Sequence, residues 1–133
     1  MTGQIVLVIL LIATLFLLGR KVRLAKIVKH YDPEQLSEKM KKKEDFVLLD
    51  VRTAGERQNS LIKGSMHIPL QELRRRVPEL RKHQGKEIVC YCRSGNRSLS
   101  AASILRKENF TVANLRGGLV GWNLANIKKT NKS

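Results

Sequence analysis

Hydrophobic residues occur along most of this chain in short blocks separated by polar segments. Continuous apolar blocks of this length are typical of strands in a parallel sheet that is covered on both faces. Four blocks predict strands at 46–49, 66–68, 88–92 and 111–115. The intervening segments are compatible with helices at 33–40, 54–60, 70–82, 99–109 and 120–127. This alternation predicts an α/β domain with a mainly parallel sheet flanked by helices.

Several residues indicate where these helices begin or break. Asp32 and Pro33 form a typical helix start, with Asp32 as N-cap and Pro33 at the first helical position. Pro78 interrupts the segment at 70–82. Ser98 is expected to cap the helix at 99–109.

The N-terminal segment is of a different kind. Residues 2–19 carry no charged side chain, and as a helix they would extend roughly 27 Å, close to the hydrocarbon thickness of a bilayer. A cleaved signal peptide would need basic residues before the apolar run, whereas here they follow it. We therefore interpret 1–19 as an uncleaved transmembrane anchor and 20–30 as a basic juxtamembrane segment.

The distribution of charge predicts an orientation. The chain has a formal net charge of +15. Five positive charges directly follow the anchor: Arg20, Lys21, Arg23, Lys26 and Lys29. By the positive-inside rule they stay in the cytoplasm, which places the N-terminus outside and the domain inside, and they suit anionic lipid headgroups. The other basic runs contain no interleaved aromatic residues, so nucleic acid is not an expected partner.

The two cysteines, Cys90 and Cys92, lie two residues apart in a predicted strand. Their Cα atoms would be about 6.5–7 Å apart, at the upper limit for a disulfide. Free thiols are therefore expected, as in a reducing cytoplasm. Two cysteines alone are a poor zinc set, so no metal site is expected. Cys90 is interpreted as a packing residue.

Cys92 is the strongest candidate for chemistry. It ends a predicted strand and precedes a predicted helix, and the loop between them is Arg93, Ser94, Gly95, Asn96, Arg97 and Ser98. Backbone N–H groups and the positive end of the helix stabilise a thiolate there, which makes the cysteine a nucleophile. Asp50 and Arg52 follow a neighbouring strand, and functional sites of parallel sheets lie at the carboxyl ends of the strands.

Three separated motifs resemble the rhodanese-like sulfurtransferases. They are the run at 48–53 with Glu56 and its continuation to 64–70, the loop at 92–98, and the run at 117–122. Together they cover nearly the whole chain after the anchor, in the order of that family. The chain departs from the family at 60–62, where Gly-His-Ile is usual, and beside Glu56, where Gly55 and Arg57 replace acidic or aromatic residues.

The resemblance implies a rhodanese-like domain at 31–127, preceded by one transmembrane helix and followed by a flexible tail at 128–133. It implies that Cys92 takes sulfane sulfur from a small donor such as thiosulfate or a persulfide, becomes a persulfide and passes the sulfur to a thiol or protein acceptor. No cofactor beyond that covalent persulfide is implied. The loop amides would surround the sulfur, Arg93 and Arg97 would bind an anionic donor, and Asp50 and Arg52 would brace the loop or assist the anion.

Two alternative functions stay open. Phosphatase or arsenate-reductase relatives close a similar loop one residue longer, with arginine six positions after cysteine; here Arg97 is five positions after Cys92, which favours sulfur. The second alternative is a membrane-tethered persulfide carrier or interaction module. Many non-catalytic relatives lose the cysteine or the arginines, and this chain keeps them.

Overall fold

The computed structural model describes residues 1–132, apart from the side chains of Leu24 and Ala25. Helices and strands alternate along the described chain, as the sequence predicts. In chain order they are α1 (Thr2–Ile27), β1 (Lys29–Tyr31), α2 (Pro33–Lys41), β2 (Phe46–Asp50), α3 (Ala54–Asn59), β3 (Met66–His67), α4 (Leu70–Arg76), a 3₁₀ helix (Val77–His83), β4 (Glu87–Tyr91), α5 (Asn96–Lys107), β5 (Thr111–Leu115) and α6 (Gly118–Thr130).

The five strands form one parallel sheet in the order β1-β5-β4-β2-β3. The predicted fold class is confirmed. The sequence did not predict β1, a three-residue edge strand in which Tyr31 alone is buried. An element this short carries no hydrophobic pattern of its own, so its pairing with β5 depends on the rest of the sheet being present.

Each face of the sheet is covered by helices. On one face α4, the 3₁₀ helix and α5 contribute Leu73, Leu80 and Leu105 to a core that also contains both cysteines. On the other face α2 and α6 contribute Leu36 and Leu119. Because side chains alternate along a strand, β4 sends Cys90 to the first core and Tyr91 to the second.

The α5 helix begins earlier than the sequence predicts. It begins at Asn96, and its N-cap is Gly95 with a φ of 111°. A residue with a side chain rarely adopts such a φ, so glycine caps this helix. The prediction that Ser98 is the cap is wrong: Ser98 lies inside α5, where its Oγ is 3.0 Å from Gly95 O. By contrast, Asp32 and Pro33 start α2 as predicted.

Both ends of the chain are more helical than predicted. The α6 helix runs to Thr130, into the segment expected to be a flexible tail, and Thr130 Oγ1 donates to Asn126 O. The α1 helix continues through the basic segment to Ile27, because lysine and arginine are good helix formers and Gly19 alone does not break a helix. The part at Thr2–Arg23 is long and apolar enough to span a membrane.

Candidate active site

The site is built where β4 ends and two helices begin. Cys92 follows β4 directly, and the loop at 93–95 leads into α5. The start of α6 packs against this loop and is hydrogen-bonded to it: Leu119 N donates to Cys92 O (2.9 Å) and Val120 N donates to Arg93 O (3.1 Å). At this contact the backbone of Gly118, with a φ of +57°, touches the Cys92 and Arg93 backbone so closely that no Cβ would fit. These contacts with α6 therefore fix the conformation of the loop.

Two hydrogen-bonding groups lie beside the sulfur of Cys92. Gly95 N donates to Cys92 Sγ at 3.0 Å, and Ser98 Oγ lies 3.4 Å from the same atom. Burial acts to raise the pKa of the Cys92 thiol, but the Ser98 hydroxyl and the backbone amides of Ser98, Gly95 and Ser94 together outweigh it, so that the pKa is lowered. The geometry suits a thiolate, which is the reactive form of cysteine.

Asn114 is a site residue that the sequence analysis missed. It lies in β5, is 2% exposed, and its Oδ1 accepts from Ser98 Oγ at 2.5 Å. Its Nδ2 lies 3.3 Å from His30 Nδ1. The available signal was an amide within an otherwise apolar strand, because a buried polar side chain requires a partner.

Arg97 is engaged in an ion pair. Its guanidinium donates to both carboxylate oxygens of Glu56 at 2.7 Å, and Thr53 N in turn donates to Glu56 Oε2. Hydrogen bonding to Arg97 lowers the pKa of Glu56 to about 2. The pKa of Arg97 is raised, mainly by Glu56 and to a smaller extent by Cys92. Glu56 therefore fixes Arg97 beside the sulfur.

Asp50 and Arg52 form a buried cluster next to this pair. Arg52 Nη2 donates to Asp50 Oδ2 at 2.7 Å and to Ser60 O at 2.7 Å, and Tyr91 Oη donates to Asp50 Oδ2 at 3.0 Å. Arg57 also pairs with Asp50 at 3.2 Å. Burial acts to raise the pKa of Asp50, but hydrogen bonds from Arg52 and its charge lower it overall. These contacts connect β2 to α3, the helix that carries Glu56.

The predicted site residues do not all border one cavity. Ser94, Gly95 and Asn96 line an open cavity together with residues that the sequence analysis did not select: Lys26, His30, Asn114 and Arg116. Arg93 and Arg52 line a second cavity beside α6. Arg97 lines a third cavity beside α1. Arg93 and Arg97 thus border different cavities, and Lys26 and Arg116 are the cations that border the first one.

Cys90 differs sharply from Cys92, although both are free and buried. Burial raises the pKa of the Cys90 thiol to about 12. Cys90 is therefore a packing residue of the first core. Within residues 1–132, no group of three or more His, Cys, Asp or Glu side chains is placed to hold a metal ion.

Most of this chain is similar in sequence to known proteins. The family model for the rhodanese-like domain matches residues 32–125. A sulfurtransferase of Allochromatium vinosum is 35% identical over 97 residues, which cover 72% of this chain and 89% of that protein. An uncharacterized protein of Bacillus subtilis is 32% identical over 123 residues, 92% of this chain and 94% of its own, so the similarity includes most of α1.

A solved structure shows the same fold. The thiosulfate sulfurtransferase of Pseudomonas aeruginosa superimposes with a TM-score of 0.67 at 28% identity. The match covers 77% of this chain but 20% of that larger one.

Proposed function

The chain belongs to the rhodanese-like domain family, which includes sulfurtransferases, and we propose that it transfers sulfane sulfur through a persulfide on Cys92. The donor is a small anionic sulfur compound such as thiosulfate, or a persulfide. The acceptor is a thiol of a small molecule or protein. The observation that carries the proposal is the 3.0 Å hydrogen bond from Gly95 N to Cys92 Sγ in a loop that lowers the pKa of that thiol.

The chemistry follows in two displacements on sulfur. The Cys92 thiolate attacks the outer sulfur of thiosulfate; a new S–S bond forms while the old one breaks, and its electron pair leaves with sulfite. An acceptor thiolate then attacks the terminal sulfur of the Cys92 persulfide. The acceptor leaves as a persulfide and the Cys92 thiolate is regenerated. No general base is needed because the loop favours the ionised form of the nucleophile.

The charges beside the loop support an anionic donor. Lys26 and Arg116 border the same cavity as Ser94 and Gly95, and Cys92 contributes to raising the pKa of Arg97, so these two charges attract each other. Asp50 and Arg52 act as braces in this proposal, because their hydrogen bonds hold α3 and therefore Glu56. An attached sulfur would carry negative charge, which loop amides stabilise.

The experiment is mass spectrometry of the full chain after incubation with thiosulfate. The proposal predicts one added sulfur atom on Cys92, removed by cyanide as thiocyanate. Cys90→Ser is the matched control and should keep the adduct, whereas Cys92→Ser should lose it together with all turnover. An unmodified wild-type protein, or turnover that survives in Cys92→Ser, would contradict the proposal. Rapid hydrolysis of an aryl phosphate by the wild type would favour phosphatase chemistry instead.

We also propose that α1 anchors the domain in a membrane, with the N-terminus outside and the catalytic domain in the cytoplasm. Support comes from the candidate span at Thr2–Arg23, which is exposed along its length, and from the basic residues at its C-terminal end and just beyond it. The test is protease protection in sealed vesicles of known orientation. In vesicles whose cytoplasmic face points outward, an epitope added at the N-terminus should be protected from the protease while the domain is digested. The opposite pattern, or recovery of the chain in the soluble fraction, would contradict this topology.

A further inference from the structure

A series of polar contacts leads from the sulfur of Cys92 to the edge of the sheet. Ser98 Oγ lies 3.4 Å from Cys92 Sγ and 2.5 Å from Asn114 Oδ1. Asn114 Nδ2 lies 3.3 Å from His30 Nδ1. His30 and Asn114 are register partners in β1 and β5, so the sheet itself holds the ring beside the amide. Ser98 and Asn114 are buried, whereas His30 is half-buried.

The Ser98 hydroxyl has one proton and three acceptors within reach. They are Asn114 Oδ1 at 2.5 Å, Gly95 O at 3.0 Å and Cys92 Sγ at 3.4 Å. The shortest contact directs the Ser98 proton toward the amide oxygen, and this competition weakens the hydrogen bond that the hydroxyl can give to the sulfur. A hydroxyl that donated to the sulfur would instead stabilise the thiolate. The orientation of the Asn114 amide therefore decides which hydrogen bond Cys92 receives.

The orientation of that amide depends on His30. While Nδ1 carries no proton, it accepts from Asn114 Nδ2, so Oδ1 faces Ser98 and takes its proton. Once Nδ1 carries a proton, it can only donate, and Oδ1 must turn toward it. The amide nitrogen then donates to Ser98 Oγ. This leaves the Ser98 proton to Gly95 O and the Cys92 sulfur, and of these two acceptors a thiolate, being charged, makes the stronger hydrogen bond.

We propose that His30 is a positioning residue for Cys92: the proton on Nδ1 sets the Asn114 amide and, through Ser98, the hydrogen bond to the nucleophile. The proposal rests on the proposed function only in taking Cys92 as the reactive thiol. Because linkage is reciprocal, the Cys92 thiolate and a protonated His30 stabilise each other. Proton loss from Cys92 is then spread over a wider pH range than a single ionisation.

Other charged groups border the same cavity as His30. Lys26 faces it from α1, and Arg116 faces it from the segment after β5. Arg116 is paired with Asp32 at 2.9 Å. The loop contributes Ser94, Gly95 and Asn96, which carry no charge. A direct effect of charge on Cys92 must therefore be separated from the effect that passes through Asn114.

The test is a pH titration of the full chain in detergent micelles, followed by the ultraviolet absorbance of the Cys92 thiolate. Each variant is measured against its own Cys92→Ser counterpart. The wild type should give a broadened curve, and His30→Phe and Asn114→Ala should each give a single ionisation. Below about pH 6, where an imidazole is ordinarily protonated, His30→Phe should hold about threefold to tenfold less thiolate than the wild type. His83→Phe, a histidine outside this series, should keep the broadened curve.

The outcomes separate the proposal from its rivals. A single ionisation in the wild type overturns it, as does a curve that stays broadened in Asn114→Ala, since the coupling would then be a direct charge effect. A second variant leaves the buried amide in place: Ser98→Ala removes the hydroxyl that connects Asn114 to the sulfur and should also give a single ionisation of Cys92. A curve that stays broadened in Ser98→Ala overturns the proposal. All these readouts report ionisation, so they are independent of whether sulfur is transferred.

Discussion

Replacing Gly118 with alanine tests how the start of α6 shapes the Cys92 loop. A Cβ at this position would lie 2.4 Å from Cys92 O and 2.6 Å from the carbonyl carbon of Arg93. Unbonded carbon and oxygen atoms normally approach to about 3.3 Å. The two backbones must therefore separate by about 1 Å. Neither can do so by a simple side-chain movement, because every contacting atom belongs to the main chain.

The magnitude follows from two contributions. Alanine at a φ of +57° costs about 1 to 2 kcal/mol. The separation also lengthens the hydrogen bonds from Leu119 N and Val120 N, now 2.9 and 3.1 Å, beyond useful range, at about 1 kcal/mol each. The expected loss in the free energy of unfolding is about 3 to 4 kcal/mol. A shift of about 1 Å at the nucleophile should also reduce sulfur transfer by about 100-fold.

The assay is urea unfolding of the full chain in detergent micelles, followed by the fluorescence of Trp122, the single tryptophan. Gly85→Ala is the matched control, because Gly85 has a φ of +92° and open space around its Cβ position. That variant should lose about 1 to 2 kcal/mol and keep its activity. Equal losses in the two variants, or wild-type activity in Gly118→Ala, would refute the reasoning.

Three further predictions concern charge and ionisation. Pairing with Arg97 lowers the pKa of Glu56 from 4.5 to about 2, so the ion pair stabilises the folded protein fully above pH 4.5 and this contribution is lost as the pH falls toward 2. In urea unfolding, Glu56→Gln should therefore reduce the loss of unfolding free energy between pH 4.5 and pH 2. An equal loss in the variant and the wild type would contradict the pairing. Iodoacetamide at neutral pH should label Cys92 and spare Cys90, whose pKa is raised to about 12; equal labelling by peptide mass spectrometry would refute this. Asp50→Asn should cost about 3 to 5 kcal/mol in urea unfolding, because it leaves a buried arginine without its carboxylate; a loss below about 1 kcal/mol would count against it.

Much of the fold was predictable because its signals are local. The strands β2, β4 and β5 each bury at least four of their five residues, so their apolar blocks are visible without any partner. Asp32 and Pro33 start α2 by their own conformational preferences. The edge strand β1 was missed, because it buries one residue and depends on β5 for its hydrogen bonds.

The site was predictable only in part. Cys92 and Gly95 are three residues apart in sequence, so the loop itself brings Gly95 N to Cys92 Sγ. Arg97 was expected to face an anion, but its partner Glu56 lies 41 residues away in sequence. The alignment of α3 against α5 decides that pairing, and no local pattern reports it.

By itself, the sequence determined the α/β class, the candidate nucleophile, its loop and the apolar helix that precedes the domain, because each depends on neighbouring residues. The tertiary structure alone decided which cations border the loop, that Glu56 is the partner of Arg97, and that His30 lies beside Asn114. These last two residues are 84 positions apart and meet because β1 pairs with β5 in one register. Contacts made across a sheet are set by strand order, which the composition of a single strand does not specify.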